Sequence, residues 1–151
     1  MTKRSFDKLH ELDKKALNVF HDFLSSLDIK LGDDRYIVFE GRRSEAVQRA
    51  YYAQGRKILE EVNELRRAAD LFPLRTEKDN YIITYTMKSK HIEGKAMDVI
   101  PLDGAGNLTW DLGHFRSFFE TIAACGREAG LECGADWPAP YTDWPHYQIK
   151  E

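Results

Sequence analysis

The chain has 151 residues, 42% of them apolar and 31% charged, with a formal net charge of −3. That length suits one compact domain able to bury a core without disulfides or a structural metal. Acidic and basic residues are mixed along the chain, which excludes nucleic acid as the main partner because phosphate binding needs a concentrated basic surface. No apolar run approaches the length of a bilayer span, so no membrane insertion is expected.

The start, Met1-Thr2-Lys3-Arg4-Ser5-Phe6-Asp7, has basic residues but no apolar run after them, so it does not read as a secretory signal. The expectation is synthesis in the cytoplasm. Leu9, Leu12, Ala16, Val19, Phe20, Phe23 and Leu27 recur at helical spacing and predict one amphipathic helix from about Phe6 to Leu27, with Ser5 as its N-cap. Arg35 to Glu40 is rich in β-branched and aromatic residues and predicts a strand. A second helical stretch begins after Ser44 and is split by Gly55. The segment Lys57 to Asn80 looks helical and could be a lid, a specificity element or a surface helix pair.

Tyr81 to Thr86 predicts a strand, as does Lys95 to Ile100, in which Ala96, Asp98 and Ile100 share a face. Asp103-Gly104 and Gly106-Asn107 mark turns. Asp111 is expected to cap a helix from Leu112 to Ala129, stopped by Gly130. Leu131 to Ala135 and His146 to Ile149 are short strand candidates. Helices and strands do not alternate regularly, so the expected fold is α+β, a small and mainly antiparallel sheet flanked by helices. Cys125 and Cys133 lack the spacing of a redox or zinc site and read as two buried thiols in a reducing compartment.

Two segments carry chemistry. Ser89-Lys90-His91-Ile92-Glu93-Gly94-Lys95-Ala96-Met97-Asp98 offers an imidazole and a carboxylate, with Gly94 between them to let the chain turn. Asp143-Trp144-Pro145-His146 offers a second imidazole and a second carboxylate. Catalytic zinc takes three protein ligands and keeps one position open. His91, Asp98 and His146 would meet that need and leave a net positive centre. An amide hydrolase also needs a proton carrier. Asp143 is the favoured candidate and Glu93 the rival. A developing oxyanion needs a fixed donor; Arg43 and its neighbour Arg42 both qualify.

The full pattern Ser89-x-His91-x-x-Gly94-x-Ala96-x-Asp98, followed by Asp143-x-Pro145-His146, resembles the zinc D-alanyl-D-alanine carboxypeptidase family. Its relatives include the L-alanyl-D-glutamate endopeptidases of bacteriophage lysis and the dipeptidases of vancomycin resistance. Glu40-Gly41-Arg42-Arg43-Ser44, Gln48 and Tyr52-Ala53-Gln54-Gly55-Arg56 resemble the EGxRS…Q…YAQGR stretch of the phage-type enzymes. Gly130-Leu131 through Gly134 and Trp137 resemble their GLxWGGxW segment, with Cys133 in place of Trp and Ala135 in place of the second Gly. The segment from Arg4 to Leu12 resembles their N-terminal helix.

The resemblance implies a Hedgehog/DD-peptidase-like α+β fold whose antiparallel sheet carries the metal. It implies Zn2+ held by His91, Asp98 and His146, with Asp143 as general base and acid and Arg43 steadying the scissile carbonyl. Ser89 and Gln48 match positions that would support substrate binding. The implied partner is a peptidoglycan stem peptide, cut between L-Ala and D-Glu in a phage or prophage lysis setting. Removal of terminal D-Ala is the alternative within the same chemistry; a non-catalytic peptidoglycan-binding module is the alternative of another class. The further expectations are one catalytic domain over 1–151 with no separate wall-binding domain, and a monomer that reaches the wall through a membrane lesion.

Overall fold

Thr2 opens helix α1 (Lys3–His10), its hydroxyl accepting from the Ser5 amide at 3.2 Å, in a computed structural model that describes residues 1–151. Asp13 then opens a second helix, α2 (Lys14–Lys30), by accepting from the Lys15 amide at 2.9 Å. The single helix expected from Phe6 to Leu27 is therefore interrupted. An aspartate that bonds the amides just ahead of it favours a new helix start over continuation. Ser5 is not the N-cap expected of it: it lies buried within α1, and its hydroxyl accepts from the Val38 amide at 3.1 Å.

The remaining elements are β1 (Tyr36–Glu40), α3 (Glu45–Ala53), α4 (Leu59–Ala68), β2 (Ala96–Pro101), α5 (Leu112–Glu128), β3 (Leu131–Cys133) and β4 (His146–Ile149). They fall into two compact units. One comprises Met1–Arg42 with Glu93–Glu151, the other Arg43–Ile92.

The first unit holds a four-stranded sheet in the order β1-β2-β4-β3, antiparallel throughout. With its flanking helices this is the α+β arrangement that the sequence pattern implies. Phe20, Phe23, Leu24 and Leu27 of α2 share a core with Tyr36, Val38, Met97, Val99, Ile122 and Tyr147. Each such side chain contributes roughly 1.5–3 kcal/mol by leaving water. β2 is central and buried along its length except at Asp98, which is half-buried. Asp111 caps α5 by accepting from the His114 amide at 3.3 Å. Both cysteines are buried and free, and burial pushes the Cys133 thiol up to about 11.

One glycine ties the start of β2 to α2. Gly94 has φ +70, and a Cβ there would lie 2.7 Å from the Asp13 amide nitrogen. That same amide donates to the Gly94 carbonyl at 2.9 Å. Only a residue without a side chain allows both the left-handed turn and this approach.

The second unit packs α3, capped by Ser44, beside α4. Lys57 to Asn80 holds one α-helix, an irregular stretch pinned where Asn63 bonds both backbone groups of Leu74, and a 3-10 turn at Glu77–Asp79. Tyr81 to Thr86 is not the strand expected of it. Tyr81, Ile82, Ile83 and Tyr85 are exposed, and the carbonyl of Thr86 is taken by the Gln48 amide at 2.7 Å. β-Branched composition expresses itself as strand only where a neighbouring strand is available. No helix of the chain is long and apolar enough to cross a membrane.

Candidate metal centre

Strand pairing sets the geometry of one half of the site. Asp98 on β2 stands opposite His146 on β4, and directly opposed residues point to the same face of a sheet. His146 Nδ1 lies 3.3 Å from Asp98 Oδ1, with both side chains largely shielded from solvent. That is longer than an ordinary N–H···O bond, about 2.7–3.2 Å. Ligand bonds of roughly 2.0–2.1 Å at tetrahedral angles put neighbouring donor atoms about 3.3–3.4 Å apart. The separation therefore fits two ligands of one ion as well as a long hydrogen bond between the two side chains.

His91 is buried, with 2% of its surface exposed. Its amide donates to Ser89 Oγ at 3.2 Å, and its carbonyl accepts from the Arg43 amide at 3.0 Å. One ligand atom from each of His91, Asp98 and His146 lies within 4.8 Å of the others. Two imidazoles and a carboxylate form a borderline N/O donor set that suits zinc and leaves one coordination position for a reactant.

Burial alone would lower the pKa of the His146 imidazole, but the adjoining Asp98 carboxylate, together with Gln148 and Asp143, outweighs it and holds the group above its ordinary value. The far side of the ring is also occupied. His146 Nε2 lies 2.9 Å from Gln148 Oε1, and Gln148 Nε2 donates to Glu132 Oε2 at 2.5 Å. Trp137 packs on the imidazole, ring centroids 5.0 Å apart.

Asp143 is exposed, unlike His146. Its carbonyl accepts from the His146 amide at 3.1 Å, and its own amide donates to the Gly134 carbonyl at 2.9 Å. A Cβ at Gly134 would fall on the Asp143 carbonyl oxygen. The 3-10 turn Gly134–Asp136 thus holds the backbone of Asp143 at close quarters. The rival carboxylate, Glu93, is exposed and lies 3.9 Å from Lys95 Nζ.

Arg43 is half-buried, whereas Arg42 is exposed. Arg43 Nη1 donates to Gln48 Oε1 at 2.6 Å, and its guanidinium stands 4.9 Å from the Tyr51 ring centroid. Gln48 is fully buried. It therefore braces Arg43, and Ser89 braces the backbone of His91.

Gln148, Glu132 and the packing of Trp137 on His146 were not expected from the sequence. Strand periodicity could have pointed to Gln148, since residues two apart on β4 share a face with His146. Glu132 becomes visible only through the cross-strand pairing Glu132↔Gln148.

Residues 75–145 match the family model described as phage L-alanyl-D-glutamate peptidase. That stretch contains His91, Asp98 and Asp143 and ends just before His146. The fold is similar to that of the L-Ala D-Glu endopeptidase ChiX from Serratia marcescens, with a TM-score of 0.58 and 24% identity, covering 99% of this chain and 89% of that one. Among curated proteins no sequence matches. The family match covers just under half of the chain, and the structural likeness shows a shared fold.

Proposed function

We propose that this chain is a zinc-dependent peptidoglycan hydrolase that cuts stem peptides between L-Ala and D-Glu, as one catalytic domain acting on the cell wall. The observation that carries this reading is the convergence of His91, Asp98 and His146, two of which lie in the stretch matching a peptidase family. In this reading, those three residues would hold Zn2+. The ion, when bound, would supply Lewis acidity for acidifying a water and polarising a carbonyl.

The chain's own residues do the rest. Asp143, exposed beside buried His146, accepts the proton of the attacking water and returns it to the departing amine. The Arg43 guanidinium, held by Gln48 and Tyr51, donates to the carbonyl oxygen as charge builds on it. Ser89 and Gln48 hold His91 and Arg43 in place and so shape where the peptide lies.

Digestion of purified sacculi, with and without a chelator, tests this. New N-terminal D-Glu in mass spectra, abolished by the chelator and restored by zinc, is the expected result. Release of D-Ala instead would redirect the assignment to carboxypeptidase action. Binding of muropeptides without turnover by zinc-loaded protein would leave a wall-binding module.

A further inference from the structure

Two side chains that the proposed chemistry does not use, Gln148 and Glu132, continue from His146. His146 and Gln148 are two apart on β4 and share a face. Glu132 on β3 is the registered partner of Gln148, and Asp98 on β2 is the registered partner of His146. The four side chains form a row across three strands, Glu132 to Gln148 to His146 to Asp98.

The polarity of this row follows from donor and acceptor capacity. An ionised carboxylate can only accept, so Glu132 must take the amide NH2 of Gln148. The amide is thereby turned with its oxygen toward His146. An oxygen can only accept, so His146 must present Nε2–H to it at 2.9 Å. A neutral imidazole carrying its proton on Nε2 has its lone pair on Nδ1. Nδ1 is the atom 3.3 Å from Asp98.

We propose that Glu132 and Gln148 form a positioning pair that fixes His146 in the Nε2–H tautomer and aims its Nδ1 lone pair at the metal. The proposal rests on the zinc reading for its consequence, but the tautomer itself is a property of the metal-free protein. Trp137, packed on the ring, supplies the matching restraint on rotation. Partners of this kind orient ligating histidines, and their loss typically costs about 10- to 100-fold in metal affinity.

Three variants test the pair. Gln148→Leu removes the acceptor. Glu132→Gln keeps the shape but lets the amide of Gln148 turn either way. Glu132→Gln combined with Gln148→Glu reverses the row, so that a carboxylate accepts from His146 and an amide donates to that carboxylate. Long-range 15N–1H spectra of metal-free protein at alkaline pH read the His146 tautomer, and competition with a chromogenic chelator reads zinc affinity.

The expected result is Nε2–H in the parent, a mixture in both single variants, and zinc affinity lower by about 10- to 100-fold in Gln148→Leu. The double variant should recover the tautomer and most of the affinity. An unchanged tautomer in Gln148→Leu overturns the proposal, and so does parental zinc affinity in that variant. If the parent fails to bind zinc, the metal reading falls, while the metal-free spectra still decide whether the pair sets the tautomer.

Discussion

Asp143 and His146 share one turn, yet one side chain faces solvent and the other is buried beside Asp98. An exposed carboxylate can exchange protons with a substrate, whereas a buried imidazole beside a carboxylate is better suited to hold an ion. Asp143→Ala is therefore expected to retain zinc and lose about 10²- to 10⁴-fold in turnover, the usual worth of a positioned acid–base group. His146→Ala should lose zinc and turnover together. Zinc content by elemental analysis and cleavage of purified muropeptides separate the two. Full activity in Asp143→Ala would pass the proton role to Glu93. The three side chains that converge, His91, Asp98 and His146, were legible as ligand candidates because each lies in a short motif. Composition leaves Arg43 and Arg42 equal and the resemblance favours Arg43; in three dimensions Gln48 and Tyr51 hold Arg43, whereas Arg42 is exposed. Glu132 stayed hidden for a related reason: a strand's sequence does not say which strand it will pair with.

The elements follow local signals closely where a cap or a stop is chemically explicit. Ser44 and Asp111 open α3 and α5 as expected, and Gly130 follows the end of α5. The failures come from competition between local signals or from a missing neighbour. Asp13 overrides an apolar periodicity that runs straight through it. Tyr81 to Thr86 has strand composition but its backbone is taken by side chains instead. Gly94 is where local conformation bears most directly on the site, because it lies between His91 and Asp98 and against the N-terminus of α2. Gly94→Ala combines a left-handed φ with a backbone collision, so a loss of roughly 1–3 kcal/mol is expected. For a chain of this size that is a fall in melting temperature of about 2–4 °C per kcal/mol. Zinc affinity should fall as well. Gly104→Ala is the control, since nothing lies within 4 Å of its added Cβ, and a change within about 0.5 kcal/mol is expected there. Equal melting of the two variants would show that the Gly94 contact does not constrain the fold.

At the scale of the whole molecule, the core of the first unit is apolar, and its stability should depend on pH through charged pairs at its edge. Arg127, at the end of α5, grips Asp136 in the turn after β3 with three contacts of 2.6 to 3.2 Å. The pair ties helix to sheet next to the turn that carries Gly134. The hydrogen bond from Arg127, opposed by slight burial, holds the Asp136 carboxyl below its ordinary range. A carboxylate whose value is lower in the folded chain than in the unfolded chain adds stability above the unfolded value. That contribution is lost as the pH falls through the folded value. Both side chains are about half exposed, so screening limits the contribution to roughly 0–1 kcal/mol. Asp136→Asn should thus melt slightly below the parent at neutral pH, by at most about 2–4 °C. The gap should close on acidification through the carboxylate range and also shrink in about 1 M salt, where the screening length is near 3 Å. A gap that persisted unchanged at low pH would mean that Asp136 acts through the shape of its turn and not through its charge.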